Sequence, residues 1–288
     1  MHNIQRRVTA RRIMAGALAG ITLGALAGCG SGNGKIATPT PVPGASSGGS
    51  LTIGISFDQP GLGFKDGDTY TGFDVDTATY VAQALGVPKD NITWKEADPG
   101  DREKLITNGD VDLVFSTYSI TPARKQQVDF AGPYFVAHQD LLVRRNEAEI
   151  TSPETLNGRV LCSVTGTTSS EYIKQTYKGK ISLKEFPKYS DCVAALANSQ
   201  VDAVTTDDVI LAGFAAEPQY KGKLKLIGKG FTDERYGVGI KKGDAAMVEK
   251  VNAALKQYVD DGSWESAIKA TVGPSGYNIP DPPTPGTA

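Results

Sequence analysis

A seven-residue corner occurs twice, 90 positions apart: Asn108-Gly109-Asp110-Val111-Asp112-Leu113-Val114 and Asn198-Ser199-Gln200-Val201-Asp202-Ala203-Val204. Each sets turn-forming residues ahead of a short β-rich run, so each reads as a helix end feeding a strand. The surroundings repeat in the same order. Before the first corner come a β-rich run at Leu51–Phe57, a helical pattern at Asp74–Leu85, a second run at Ile92–Glu96 and a helix at Asp101–Thr107. Before the second come Arg159–Val164, Ser169–Tyr177, Ile181–Phe186 and Ser190–Asn198. Strands alternating with helices predict two similar α/β halves, each a mostly parallel sheet covered by helices. A later helical stretch carries Met247, Val251, Leu255 and Tyr258 on one face and must pack on one half.

The ends of the chain speak to compartment. Arg6, Arg7, Arg11 and Arg12 precede an apolar, small-residue run from Ile13 to Leu26, too short to span a bilayer comfortably. Residues 1–28 therefore read as an export signal. It ends in Leu26-Ala27-Gly28-Cys29, which resembles the lipobox whose cysteine is diacylated. Gly30–Ser50 is mostly Gly, Ser, Pro, Thr and Ala, with one lysine and little to bury, so 29–50 is expected to be a disordered tether. The Pro-rich end, 279–288, is expected to be a flexible tail. Roughly 230 residues remain for two modest lobes.

Loss of the leader removes four arginines and no acid, leaving 26 basic against 32 acidic residues. An acidic body without a basic run is a poor partner for nucleic acid or an anionic surface. Membrane contact is then expected from the lipid on Cys29. After Cys29 only Cys162 and Cys192 remain, and in an exported chain two such cysteines are expected to pair.

Open α/β sheets bind at the carboxyl ends of their strands, so the residues after each strand matter. After Val111–Phe115 come Ser116, Thr117, Tyr118, Ser119, Ile120, Thr121, Pro122, Ala123 and Arg124. Thr121 is placed to cap a helix starting at Pro122, and Arg124 to fork onto a carboxylate. Thr165-Gly166-Thr167-Thr168-Ser169-Ser170 is a second hydroxyl-rich helix start, suited to an anion. After Val201–Thr205 come Thr206, Asp207 and Asp208, placed to accept from an ammonium. Singly, each also fits a helix cap or a solvated first turn. Together, at three equivalent strand ends, they describe a site for an α-amino acid.

From Leu51 to about Val272 the chain resembles the family 3 periplasmic solute-binding proteins. The motifs that carry the likeness are Gly72-Phe73-Asp74-Val75-Asp76, Ile120-Thr121-Pro122-Ala123-Arg124, Val128-Asp129-Phe130, Pro133-Tyr134, Gly166-Thr167-Thr168-Ser169 and Tyr236-Gly237-Val238-Gly239-Ile240. Asp58-Gln59-Pro60-Gly61-Leu62-Gly63, Thr117-Tyr118-Ser119-Ile120 and Leu161-Cys162-Ser163-Val164 are similar to actinobacterial glutamate-binding lipoproteins.

The resemblance implies a type II, two-lobed periplasmic-binding-protein fold with two hinge strands, near Tyr134–His138 and Gly230–Tyr236. Lobe 1 would be 51–135 plus 236–278, and lobe 2 would be 136–235. It implies a monomer outside the cytoplasm that delivers a polar amino acid to an ABC permease and its ATPase, with glutamate ahead of glutamine or aspartate.

It also implies residue roles. Arg124 would clamp the α-carboxylate with Thr117, Ser119 and the Thr167 loop. Asp207 would accept the α-ammonium, and Arg102 would meet the side-chain carboxylate beside Tyr189. One departure concerns Ser56, where several acidic-ligand members carry a second cation.

Two other readings share the scaffold: a ligand sensor for a membrane receptor, and a cyclohexadienyl-dehydratase-like enzyme. An enzyme needs an acid–base group in the cleft. The one histidine beyond the leader, His138, falls in the presumed hinge. No metal, cofactor or catalytic set is expected.

Overall fold

A computed structural model describes residues 35–288. The leader, residues 1–28, and the lipobox cysteine Cys29 lie outside the described residues.

The first sheet is built from β1 (Leu51–Ile55), a small hairpin of β2 (Phe64–Asp66) and β3 (Thr69–Thr71) beside it, β4 (Ile92–Glu96) and β5 (Leu113–Phe115). Between them run α1 (Phe73–Ala84) and α2 (Arg102–Asn108). β6 (Val128–Ala137) then leaves for the second sheet, continuing through His138 into β7 (Gln139–Arg144). The second sheet adds β8 (Val160–Val164), α3 (Thr168–Thr176), β9 (Ser182–Phe186), α4 (Tyr189–Ala197), β10 (Ala203–Asp207), α5 (Asp208–Ala216) and β11 (Leu224–Leu226). β12 (Glu234–Lys241) returns the chain to the first sheet, and α6 (Ala245–Asp260) and α7 (Ser263–Thr271) follow.

Strand orders, among the described residues, are β4-β1-β5-β12-β6 and β9-β8-β10-β7-β11. One order maps on the other, strand for strand. Each sheet has two parallel pairings and then two antiparallel ones. The parallel part is the repeated βα unit; the antiparallel part is made by the strands that cross between lobes and must come back.

The repeated corners hold in detail. Both turns contain a left-handed residue, Gly109 (φ 77°) and Ser199 (φ 58°). Asp112 Oδ2 accepts the Thr52 amide at 2.7 Å, and Asp202 Oδ2 accepts the Val160 amide at 2.8 Å. The aspartate that follows the valine in each corner thus secures the start of the neighbouring parallel strand.

The apolar core follows the periodicity: Val75, Ala78, Val81 and Ala82 of α1 pack with Val251, Leu255 and Tyr258 of α6. Cys162 on β8 and Cys192 on α4 form a disulfide with 5.6 Å between Cα atoms. Among the described residues no helix is long and apolar enough to cross a membrane.

Two expectations about loose ends are corrected. Where described, the tether is laid against the first lobe. Val42 is buried and its amide donates to Ala84 O at 2.9 Å, while the Gly48 amide donates to Gly86 O at 3.1 Å. Helix α1 ends at Ala84, and the segment supplies donors to that last carbonyl and to the turn after it. The tail is also fixed: the Gly286 and Thr287 amides donate to Gly132 O at 2.8 and 3.1 Å, and Arg235 donates to Thr287 O. One valine and a few main-chain groups outweigh a composition that looks unstructured.

Candidate functional site

The carboxyl ends of β5 and β10 face each other across the lobes. Beyond β5 the chain turns sharply at Thr117, a β-branched residue held at φ 42°. This costs energy and needs support from elsewhere. Asp74, in the first turn of α1, supplies it. Its Oδ2 accepts the Thr117 amide at 3.0 Å and its Oδ1 accepts the Tyr134 hydroxyl at 2.8 Å. Full burial pushes the Asp74 carboxyl up to about 6, against those two hydrogen bonds and the pull of Arg102. The Thr117 hydroxyl donates to Gln59 Oε1 at 3.1 Å.

Arg124 follows within a single 3₁₀ turn, Arg124–Gln126, rather than the helix expected from Pro122. β6 begins at Val128 and leaves no room for more. Thr121 does accept the Arg124 amide, at 3.2 Å. The Arg124 guanidinium donates to Ser119 O at 2.7 Å and to Gly166 O, across the cleft, at 2.9 Å. Its Nε lies 3.3 Å from Glu103 Oε1. Ser119 contributes its carbonyl to this arrangement.

Arg102, the first residue of α2, is buried beside it. Nη1 donates to Ser116 O and Thr117 O at 2.9 and 3.3 Å, and Nη2 to Gly166 O at 3.3 Å; Nε has no partner. Both guanidiniums lie over the Tyr118 ring, at 4.4 and 5.0 Å from its centroid, a cation–π arrangement. Burial, and then the neighbouring Arg124 charge, lower Arg102 to about 10, so it stays charged at neutral pH.

The second lobe faces these cations with α3, α4 and the end of β10. Thr167 caps α3: its hydroxyl accepts the Ser170 amide at 3.0 Å and donates to Val164 O at 2.7 Å. That hydroxyl is largely engaged by its own lobe, and the loop meets the arginines through Gly166 O instead. Asp207 sits at the N-cap position of α5 but makes no capping bond. Its Oδ2 accepts the Tyr236 hydroxyl at 2.5 Å. Burial, then the Glu234 charge, push its carboxyl well above the usual carboxylate range. Tyr189 and Ser169 are buried with hydroxyls that have no partner.

The seven residues given ligand roles, Arg102, Thr117, Ser119, Arg124, Thr167, Tyr189 and Asp207, line one interlobe pocket; Asp208, also read as an ammonium acceptor, does not, its Oδ1 accepting the His138 amide and the Tyr277 hydroxyl at 3.2 and 3.1 Å. About 10 Å³ of free volume remains in it, room for about one water. Some of the contact is main chain on main chain: a Cβ at Gly166 would fall 2.6 Å from Gly100 Cα, and one at Gly213 would fall 2.1 Å from Pro60 O. Sequence reasoning missed Glu103 and Tyr118 as partners of the arginines. Glu103 adjoins Arg102 and lies 21 positions from the arginine it pairs with, so only the fold brings the two together. Ser56 carries no charge into the pocket; its hydroxyl donates to Asp58 Oδ1 at 3.0 Å.

The model of the bacterial extracellular solute-binding proteins, family 3, matches residues 51–273, most of the chain. This chain belongs to that family. As a family 3 protein it is 40% identical over 268 residues to "Glutamate-binding protein GluB" of Corynebacterium glutamicum, covering 89% of this chain and 88% of the relative. It is 36% identical over 222 residues to "ABC transporter glutamine-binding protein GlnH" of Bacillus subtilis, covering 76% and 80%. Among solved structures, an ancestral arginine-binding protein bound to glutamine superposes with a TM-score of 0.72 at 32% identity, covering 79% of this chain and 100% of that one. The family 3 fold of two mixed α/β sheets joined by crossing strands is the one described above.

Proposed function

We propose that this chain captures an acidic amino acid, glutamate ahead of glutamine or aspartate, between its lobes and delivers it to an ABC importer. The observation that carries this reading is two buried guanidiniums and one buried carboxyl lining one pocket. An amino dicarboxylate has the matching charges. Arg124 is assigned the α-carboxylate, and Asp207 the ammonium. Arg102 is assigned the distal carboxylate: its Nε is unpartnered and its Nη2 bonds only to the opposite lobe, so opening leaves a bidentate edge free. The Tyr189 and Ser169 hydroxyls complete the shell. Relatives named for glutamate and glutamine support the substrate class.

Binding, rather than turnover, is supported by relatives named as binding proteins. His138 lies at the hinge crossing, with Nδ1 3.0 Å from Thr232 O, away from the pocket. Calorimetric titration tests the ligand assignment. Glutamate is expected to bind more tightly than glutamine, and Arg102→Gln to cost glutamate about 2 kcal/mol or more, roughly 30-fold, with a smaller loss for glutamine. Equal or tighter binding of glutamine by the wild type would sink the glutamate assignment and leave amino-acid capture standing.

Anchoring through lipid on Cys29, on the outer face of the cell membrane, belongs to the same proposal. A diacyl group holds where a single chain is marginal. Cys29→Ser is expected to move the protein from the membrane to the soluble fraction with ligand affinity unchanged. A variant still sedimenting with membranes after a salt wash would refute the anchor.

A further inference from the structure

Helix α4 lacks a cap of its own. Lys188, at its N-cap position, makes no side-chain bond to the helix, which leaves first-turn amides to find partners elsewhere. The partner comes from the other lobe. Asp58 Oδ2 accepts both the amide and the hydroxyl of Ser190, each at 3.1 Å, and Ser56 orients that carboxylate through Oδ1. A carboxylate at a helix N-terminus is also favoured by the helix dipole. On the other side Lys188 pairs with Glu96, again from the first lobe. Tyr189 stands between these two tied residues, with its unpartnered hydroxyl buried in the pocket lining. Within its own lobe α4 is fixed by the Cys192–Cys162 bridge.

We infer that Asp58 is the N-cap of α4 supplied across the cleft, so that closure of the lobes completes the helix and sets the Tyr189 hydroxyl in place. Asp58 lines no part of the pocket; it is a positioning residue. It also gives Ser56 a role, as the holder of that cap. The consequence for the ligand rests on the binding function proposed above; the consequence for closure does not.

Two measurements test this. The first uses ligand-free protein with Cys29→Ser and spin labels on Asp68→Cys and Lys178→Cys, exposed sites on opposite lobes. Asp58→Ala is expected to lengthen and broaden the interlobe distance distribution, and Asp58→Asn to restore it, because asparagine caps as well as aspartate. Ser190→Ala, altering the contact from the other side, is expected to widen the distribution less. An unchanged distribution in both alanine variants overturns the cap. The second measures glutamate and glutamine dissociation by stopped flow. Asp58→Ala is expected to speed release about fivefold, the factor equal to a typical cap's ~1 kcal/mol, with association unchanged. In a Tyr189→Phe background that factor is expected to shrink. A factor undiminished there overturns the positioning of Tyr189. Failure of any amino acid to bind would defeat the proposed function, and the distance measurement would still decide the cap.

Discussion

Arg124→Ala and Asp207→Ala are each expected to abolish amino-acid binding within the range calorimetry can follow. Removing one partner of a desolvated, hydrogen-bonded charge pair costs about 2–5 kcal/mol, roughly 30-fold to several thousand-fold in affinity. Arg124 is buried and its guanidinium touches both lobes, so its loss also removes a contact that closes them. The two variants should differ with pH. Without an ammonium beside it, Asp207 is held well above the ordinary carboxylate range by burial and by Glu234. A ligand ammonium favours the ionised form, so binding lowers that pKa and expels a proton. Affinity is therefore expected to fall as pH drops through the raised value, and Asp207→Asn should flatten the profile. For folding the sign is opposite. The raised pKa contributes stability that is fully present below about 3.9, the ordinary aspartate value, and is lost as pH rises through the raised value. Near-wild-type affinity in either alanine variant would remove the assigned role.

Loss of the Cys162–Cys192 bridge is the second large effect expected. A loop spanning 30 positions corresponds to about 3.5 kcal/mol of unfolded-state entropy, or roughly 10 °C in Tm for a body of this size. The Cys162→Ser/Cys192→Ser double variant should show that fall in calorimetry and still bind its amino acid, because neither sulfur lines the pocket. A melting temperature equal to the wild type's would show that β8 and α4 are held by packing alone.

The fold was legible because its signals are local. The two Asn-x-x-Val-Asp corners, the alternation of β-rich and helical runs, and the residues after each strand lie within a few positions of one another. Helix and strand limits fell within a few residues of those observed, and the site residues gathered where strand ends predict. What stayed hidden is long-range. The cap on Ser190 comes from Asp58, 132 positions earlier. The strap at Val42 depends on carbonyls left open by α1. The Pro122 turn reads locally as a helix, and only the hinge strand starting at Val128 cuts it short. Thr167 looked like an anion donor, but its hydroxyl is engaged within its own lobe. Sequence shows which groups are present at a site; which neighbour engages each group is settled by chain brought in from far away.

The paired glycine contacts between the lobes have a mechanical meaning. Gly166 against Gly100, and Gly213 against Pro60, bring main chain onto main chain, with no side chain left to compress. Any approach beyond this arrangement would drive main chain into main chain, and trimming pocket side chains would not relieve it. On the proposed capture, the arginines and Asp207 would select an occupant by its charge, and the main-chain contacts would bound how far the lobes can swing in around it.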